Sequence, residues 1–144
     1  MNAKKRLVLD ANILIRGSLG HRVVQLLDGY SESILFCSPA FCVEEARYHV
    51  PLILADRGVR SDAALNALDR VLGLVQIVEP TDYTNFEREA HARIAKRDKK
   101  DWPVVAVALR LRAPIWTEDS DFFGCGIATW TTDRVKLYLD PARP

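Results

Sequence analysis

Short runs rich in apolar residues alternate with longer segments of helical periodicity along the whole chain. The runs cover residues 7–9, 34–37, 75–78, 114–117 and 135–139. Strands with apolar residues at successive positions are buried on both faces, as in parallel sheets covered by helices. The pattern therefore predicts an α/β protein, a three-layer α/β/α sandwich around a central, mainly parallel, five-stranded sheet.

Helix start signals follow several of these runs. Ser38-Pro39 combines a good N-cap with a proline at the first helical position, and predicts a helix that ends near Asp56. Pro51 lies inside that span, so we expect a kink or a split there. Asp101 stands before Trp102-Pro103 and an apolar helix, which is the usual place of a capping aspartate.

Length and composition indicate an ordinary globular protein. The 144 residues fit one domain, 1–144, and the net charge of +1 argues against a strongly basic protein that coats nucleic acid. The three cysteines form no paired framework, which predicts reduced thiols and a cytoplasmic location. No segment reaches the roughly 18–20 apolar residues that cross a bilayer, so we expect no membrane association.

Acidic residues follow the predicted strands at the edge where parallel sheets bind ligands. Asp10 comes after the first run, and Asp119 and Asp121 come after the fourth. Glu44 lies in the early turns of the helix after the second run, and Asp101 begins another helix. Because clustered carboxylates repel one another, and because Mg²⁺ prefers their oxygens, these acids predict a divalent metal site.

Each acid also has a simpler interpretation. Asp10-Ala11-Asn12 could be ordinary turn chemistry, and Asp101 could serve only as a helix cap. Glu44 and Glu45 could belong to a solvated helix face, and the loop acids to a polar loop. The metal-site hypothesis depends on their coming together at one edge of the sheet.

The chain resembles the PIN-domain nucleases, and especially the VapC-type toxins of toxin–antitoxin pairs. The resemblance covers nearly the whole length. It is carried by four motifs: the strand followed by Asp10-Ala11-Asn12, Ser38-Pro39 leading to Glu44, Asp101-Trp102-Pro103, and 116–122 with the sequence Trp-Thr-Glu-Asp-Ser-Asp-Phe.

The resemblance implies Mg²⁺- or Mn²⁺-dependent hydrolysis of RNA. It assigns catalysis to Asp10, Glu44, Asp101 and Asp119, and metal binding to Asp10, Asp101, Asp119 and Asp121. Asn12 and Thr117 match its supporting polar residues, and Glu45 in place of Glu44 remains an alternative. A protein antitoxin and a homodimer are further implications of the resemblance.

Basic residues are concentrated in the segment of the chain that precedes Asp101. RNA phosphates need cations, so we expect the substrate backbone to contact Arg16, Arg93, Lys96, Arg97, Lys99 and Lys100. The alternative is a solvated basic face. A competing function keeps the fold without catalysis, as a silent PIN-like RNA-binding or regulatory domain. Its signature would be a missing acid, and all four are present.

Overall fold

A parallel five-stranded sheet forms the centre of the computed structural model, which describes residues 4–94 and 99–141. The strands lie in the order β3-β2-β1-β4-β5, and every pairing between neighbours is parallel. Their bounds are β1 Lys5–Leu9, β2 Ile34–Pro39, β3 Gln76–Val78, β4 Ile115–Trp116 and β5 Thr129–Trp130. The three-layer α/β prediction is confirmed.

Helices connect the strands and form two packed groups. The bounds are α1 Ala11–Leu19, α2 Arg22–Gly29, α3 Ala40–Ala55, α4 Ser61–Leu72, α5 Pro80–Tyr83, α6 Glu87–Ile94, α7 Trp102–Leu111 and α8 Lys136–Leu139. Helices α1, α3 and α4 pack against one another, while α5 and α6 pack on α7, which also contacts β1 and β2. Among the described helices, none has both the length and the apolar character that spanning a bilayer requires.

The prediction of the last strand was wrong. Residues 136–139 form the short helix α8, and the fifth strand is Thr129–Trp130. Val135 and Leu139 are buried, four residues apart, whereas Leu137 between them is 69% exposed. This spacing is helical, and the apolar character of the run concealed it. The true strand is too short and too polar to produce an apolar run.

Two helix signals also act differently from their prediction. Ser38 does not cap α3, because it lies in β2 and its hydroxyl donates to the Leu9 carbonyl at 2.8 Å. Pro39 occupies the cap position instead, without a side-chain hydrogen bond. Helix α3 then continues through Pro51 without the split that we considered. The Ser38 hydrogen bond joins β2 to Leu9, the last residue of β1, which directly precedes Asp10.

Gly17 allows close packing between α1 and α4. A Cβ atom at this position would lie 2.9 Å from Cγ2 of Val71 and 3.2 Å from Cγ1 of Val23. Gly17→Ala should therefore destabilise the protein by about 1–3 kcal/mol, partly offset by the better helix propensity of alanine. Urea denaturation measures the difference. Gly29→Ala is the matched control, since a Cβ atom there would meet nothing within 4 Å. Equal stability of the two variants would contradict the packing argument.

Candidate active site

A cleft opens at the carboxyl ends of β1 and β4. It has a volume of about 740 Å³ and is bounded by the start of α1, one face of α3, the turn before α7 and the loop after β4. Its lining residues are Asp10, Ala11, Asn12, Ile15, Phe41, Glu45, His49, Ile53, Lys100, Asp101 and Asp119. This is the edge at which the sequence predicted a site.

Asp10 is the buried acid at the bottom of the cleft. It directly follows β1 and precedes α1, and only 7% of it is exposed. Its Oδ1 atom accepts a hydrogen bond from the Ala11 amide at 2.7 Å. Its Oδ2 atom accepts from the Thr117 hydroxyl at 2.8 Å and from the Asn12 amide nitrogen at 3.1 Å. The turn chemistry considered for Asp10 is therefore present, and it fixes the carboxylate inside the cleft.

The surroundings of Asp10 disfavour its charged form. Burial is the main cause, and it raises the pKa of Asp10 from 3.8 to about 6 even though the hydrogen bonds from Thr117 and Ala11 act in the opposite direction. The negative charges of Asp119 and Glu45 raise this pKa further. The charges of two other acids of the cleft thus act on Asp10.

Asn12 and Thr117 connect the two strand ends. The side-chain Nδ2 atom of Asn12 also donates to the Thr117 hydroxyl oxygen at 3.2 Å. Its side-chain Oδ1 atom accepts from the backbone amide of Glu118 at 3.3 Å. The Thr117 hydroxyl oxygen accepts from the Asp119 amide at 3.0 Å. Thr117 consequently contacts both Asp10 and the backbone of Asp119, while Asn12 contacts Asp10 and the backbone of Glu118.

Asp101, Asp119 and Asp121 bring one carboxylate oxygen each to within 4.8 Å of one another. Asp119 Oδ1 also accepts from the Asp121 amide at 2.9 Å, which begins the 3-10 turn Ser120–Phe122. Asp101 stands at the N-cap of α7 with helical backbone angles, and its side chain makes no capping hydrogen bond. The capping interpretation of Asp101 was wrong, because its carboxylate lies among the acids.

Glu45 and not Glu44 lines the cleft. Glu45 is half-buried and its charge reaches Asp10. Glu44 is exposed and lies near Tyr83, whose pKa is raised by burial first and then by neighbouring charges that include Glu44. The position of Glu44 therefore does not fit the role predicted for it, since one residue along a helix turns a side chain by about 100°.

The buried face of α3 consists of Cys42, Val43, Ala46, Val50 and Leu54, of which Cys42, Ala46, Val50 and Leu54 form a stripe at four-residue spacing. Glu45 directly precedes one member of this stripe, as Phe41, His49 and Ile53 precede the others. A side chain beside the buried stripe can reach a cleft next to the core, but Glu44 also stands beside a buried residue, Val43, so the pattern alone does not choose between the two glutamates.

The predicted basic residues are divided in the structure. Lys100 lines the cleft, and Lys99 is exposed in the 3-10 turn Lys99–Asp101. Arg16 is exposed beside the cleft and forms an ion pair with Glu118 at 3.5 Å. Lys96 and Arg97 lie outside the described residues.

Arg93 is occupied elsewhere. Its guanidinium donates to Glu89 at 3.0 Å and to the Cys125 carbonyl at 2.9 Å. The loop passes so close that a Cβ atom at Gly126 would lie 2.4 Å from Arg93 Nη1. Arg93 thus fastens the 123–128 loop to α6, and this position does not fit the RNA contact predicted for it.

Glu118, in the loop after β4, connects two distant segments of the chain. Its Oε1 atom accepts a hydrogen bond from the Thr132 amide at 2.8 Å and forms the ion pair with Arg16. The Thr132 hydroxyl oxygen in turn accepts from the Trp116 indole at 3.0 Å. The chain after β5 is therefore tied to β4 and to the loop that carries Asp119.

A known protein family matches most of this chain. The sequence pattern of the PIN domain family matches residues 8–140 of this chain. The chain belongs to the PIN domain family. No curated protein sequence matches it significantly.

Several solved structures share the PIN domain fold. One is VapBC2 from Rickettsia felis, solved bound to a DNA fragment from its promoter. Its TM-score is 0.70 at 13% identity, and the match covers 88% of this chain and 98% of that chain. A Pyrobaculum aerophilum protein has a TM-score of 0.68 at 19% identity, over 94% and 89%. FitAcB from Neisseria gonorrhoeae has a TM-score of 0.62 at 20% identity, over 88% and 97%. At these identities the likeness shows the fold.

Proposed function

We propose that this PIN domain is a divalent-metal-dependent endoribonuclease and the toxin of a toxin–antitoxin pair. The observation that carries the proposal is the group of Asp101, Asp119 and Asp121 oxygens within 4.8 Å of one another, beside the buried Asp10. Asp10, Glu45, Asp101 and Asp119 line the same cleft, so four acids face the position where a phosphate would bind. This argues against the silent alternative, whose signature is a missing acid.

The donor set suits Mg²⁺ or Mn²⁺. The oxygens are carboxylates, which hard divalent cations prefer. The three oxygens already lie within 4.8 Å of one another, so side-chain movements would bring them around one cation. We assign metal binding to Asp101, Asp119 and Asp121, with Asp10 as the adjoining acid. A divalent cation bound there lowers the pKa of water and stabilises the negative charge of the attacked phosphate.

The residues of the chain then have distinct tasks. Thr117 and Asn12 hold Asp10 and the Asp119 loop in fixed positions, so that little reorganisation is needed when substrate arrives. Asp10 and Glu45 provide the nearby carboxylates that accept protons and keep the cleft acidic. Lys100 supplies a cation at the edge of the cleft for the RNA backbone, with Lys99 and Arg16 nearby.

The partners are part of the same proposal. The resemblance to VapC-type toxins implies a protein antitoxin and a homodimer, and the fold shared with a chain of VapBC2 supports the antitoxin. The three cysteines are free and buried, as expected from the lack of a paired framework. Reduced thiols are consistent with a cytoplasmic protein.

Cleavage of a generic single-stranded RNA tests the proposal. We expect cutting by wild type with Mg²⁺ or Mn²⁺, none with EDTA, and none detectable for Asp119→Asn in the same buffers. Asp56→Asn, an exposed acid after α3, is the matched control and should cut like wild type.

Thermal unfolding gives an independent readout of the metal site. Saturating metal should raise the melting temperature of wild type. At a metal concentration of 100 times the dissociation constant, the free energy of unfolding increases by about 2.7 kcal/mol. Asp119→Asn should lose most of this shift. The absence of both cutting and a metal-dependent shift would disprove the proposed function.

A further inference from the structure

A second cavity, which we call the β5 pocket, lies at the amino ends of β4 and β5, the edge of the sheet opposite the acids. It is bounded by the end of α7, residues 112–114, residues 126–128, Trp130 and Tyr138. Its volume of about 430 Å³ falls within the usual range of about 300–1,000 Å³ for small-molecule sites. A molecule bound there would not contact the acidic cleft.

Hydrogen bonds hold the walls of the β5 pocket in place. The Tyr138 hydroxyl donates to the Arg6 carbonyl at 2.8 Å, and the Tyr138 and Trp130 rings have centroids 6.0 Å apart. Arg93 donates to the Cys125 carbonyl at 2.9 Å, directly before the turn that forms one wall. The pocket is thus largely pre-formed, which lowers the cost of binding.

Arg112 carries the only charge among the described residues that line the β5 pocket. It is exposed, and it forms no ion pair with the acids of residues 4–94 and 99–141. The rest of the lining consists of aliphatic residues, proline, glycine and two aromatic residues. An apolar molecule with one negative group therefore matches the pocket in polarity and in charge.

The backbone at Arg112 is unusual for an arginine. Arg112 follows α7 with φ 52° and ψ 51°, and among the described residues it is the only one other than glycine with a positive φ. Glycine or asparagine usually occupies such a position, because a Cβ atom is strained there. The attraction of a helix end for cations does not explain the choice, since Arg110 already lies in the last turn. The chain thus accepts strain and places a guanidinium beside the pocket.

Trp130 adds an N–H donor. Its Nε1 atom is buried and has no acceptor among the described residues, whereas Nε1 of Trp116 donates to the Thr132 hydroxyl oxygen at 3.0 Å. A buried donor without an acceptor is costly, and an oxygen of a bound molecule would remove that cost.

We propose that the β5 pocket binds a small amphiphilic anion, an aromatic or aliphatic carboxylate, with its apolar part against Trp130 and Tyr138 and its negative group at Arg112. The inference goes beyond the proposed function and does not depend on it, because it involves neither the metal nor RNA.

The competing occupant is the apolar surface of a second protein chain. A stable protein interface takes roughly 800 Å² from each partner, so it would need apolar surface around the pocket as well as inside it. The large exposed apolar side chains of the described residues all lie outside the lining, namely Tyr48, Leu52, Ile77, Phe123 and Leu137. The confinement of apolar surface to the pocket favours a small molecule.

Two fluorescent probes test the inference. Anilinonaphthalene sulfonate joins aromatic rings to a negative group, and phenylnaphthylamine has the same rings without the charge. In EDTA, wild type should bind the anionic probe saturably, about 10-fold more tightly than the neutral one, since hydrogen bonds between charged groups are the strong ones. Octanoate should displace the anionic probe at a lower concentration than octanol.

Substitutions then locate the site. Arg112→Gln should weaken binding of the anionic probe about 10-fold and leave the neutral probe unaffected. Ala128→Phe, which introduces a ring at an exposed lining position, should abolish saturable binding of both probes. Arg110→Gln is the matched control, because it is the same change at an exposed residue of α7 outside the lining. It should bind both probes like wild type.

Arg112→Gly separates binding from folding. Glycine adopts the left-handed backbone without strain, so this variant should be at least as stable as wild type in urea. It should nevertheless bind the anionic probe as weakly as Arg112→Gln. Normal affinity in this variant would mean that the guanidinium has no part in binding and would overturn the inference.

Other results also contradict the inference. It is overturned if wild type does not bind the anionic probe saturably, if octanol displaces that probe as well as octanoate does, or if Arg112→Gln weakens both probes equally. Sedimentation velocity covers the second copy: self-association that Ala128→Phe abolishes, in a protein that binds neither probe, would make the pocket an interface between chains. Probe binding as expected in a protein that does not cut RNA would disprove the proposed function alone.

Discussion

Asp10→Asn should abolish metal-dependent RNA cleavage and leave the metal-free protein at least as stable as wild type at pH 7. Asparagine has the same shape and retains an oxygen that accepts from Ala11 or Thr117, so the loss is about one hydrogen bond, or 0.5–1.5 kcal/mol. Against this, the pKa of Asp10 is raised from 3.8 to about 6. Ionising it in the folded protein therefore costs roughly 3 kcal/mol, which the amide avoids.

The pH dependence gives the sign of this effect. Because the pKa of Asp10 is higher in the folded protein than in the unfolded chain, the folded state binds more protons between about pH 4 and pH 6. The contribution of Asp10 to stability is full below the unfolded value and is lost as the pH rises through the folded one. Lowering the pH from 7.5 to 5 should thus stabilise wild type relative to Asp10→Asn by about 1–2 kcal/mol.

Urea denaturation of both proteins in EDTA, at pH 5 and pH 7.5, measures this relative change. Taking the difference between the two proteins cancels the titration of groups that they share. A variant that fails to fold at either pH would mean that Asp10 matters chiefly for the turn after β1. A variant that folds and still cuts RNA would remove Asp10 from the proposed mechanism.

Glu45→Gln should lower metal-dependent cleavage by about 100-fold or more, whereas Glu44→Gln should stay within about twofold of wild type. The two substitutions are adjacent, make the same chemical change and lie in the same helix. They differ in that Glu45 lines the cleft and Glu44 is exposed near Tyr83. Initial rates on one RNA at saturating Mg²⁺ measure the contrast.

The folded proteins provide a check on this pair. Removing the charge of Glu45 should lower the pKa of Asp10, because that charge is one cause of its rise. Glu44→Gln should leave it unchanged. Loss of activity in Glu44→Gln together with normal activity in Glu45→Gln would show that the register of α3 in solution differs from the one described.

The sequence predicted the acids that directly follow strands, because a strand end can be read from the apolar run before it. Asp10 and Asp119 are of this kind. It left Glu44 and Glu45 open, since a position within a helix is set by which face packs on the core. It also missed β5, because the two residues of Thr129–Trp130 are held at the edge of the sheet by β4 and not by a pattern of their own.

Side-chain pairings between distant segments were beyond the sequence for the same reason. Arg93 and Lys100 are both basic residues near one acidic motif, and only the folded chain shows that Arg93 holds a loop while Lys100 lines the cleft. Glu118 likewise gains its task from Thr132, fourteen residues away.

The tie between Glu118 and Thr132 bears on how this part of the chain can diverge. Among the described residues, the acids assigned to the site all come at or before Asp121 in the chain. Thr132 nevertheless contacts both the loop that carries Asp119 and the strand before that loop. Insertions and deletions should be accepted around Phe123, which is 56% exposed, provided that the chain returns to Thr132. Among relatives we expect the length of this loop to vary while Thr132 persists, although Thr132 does not line the cleft.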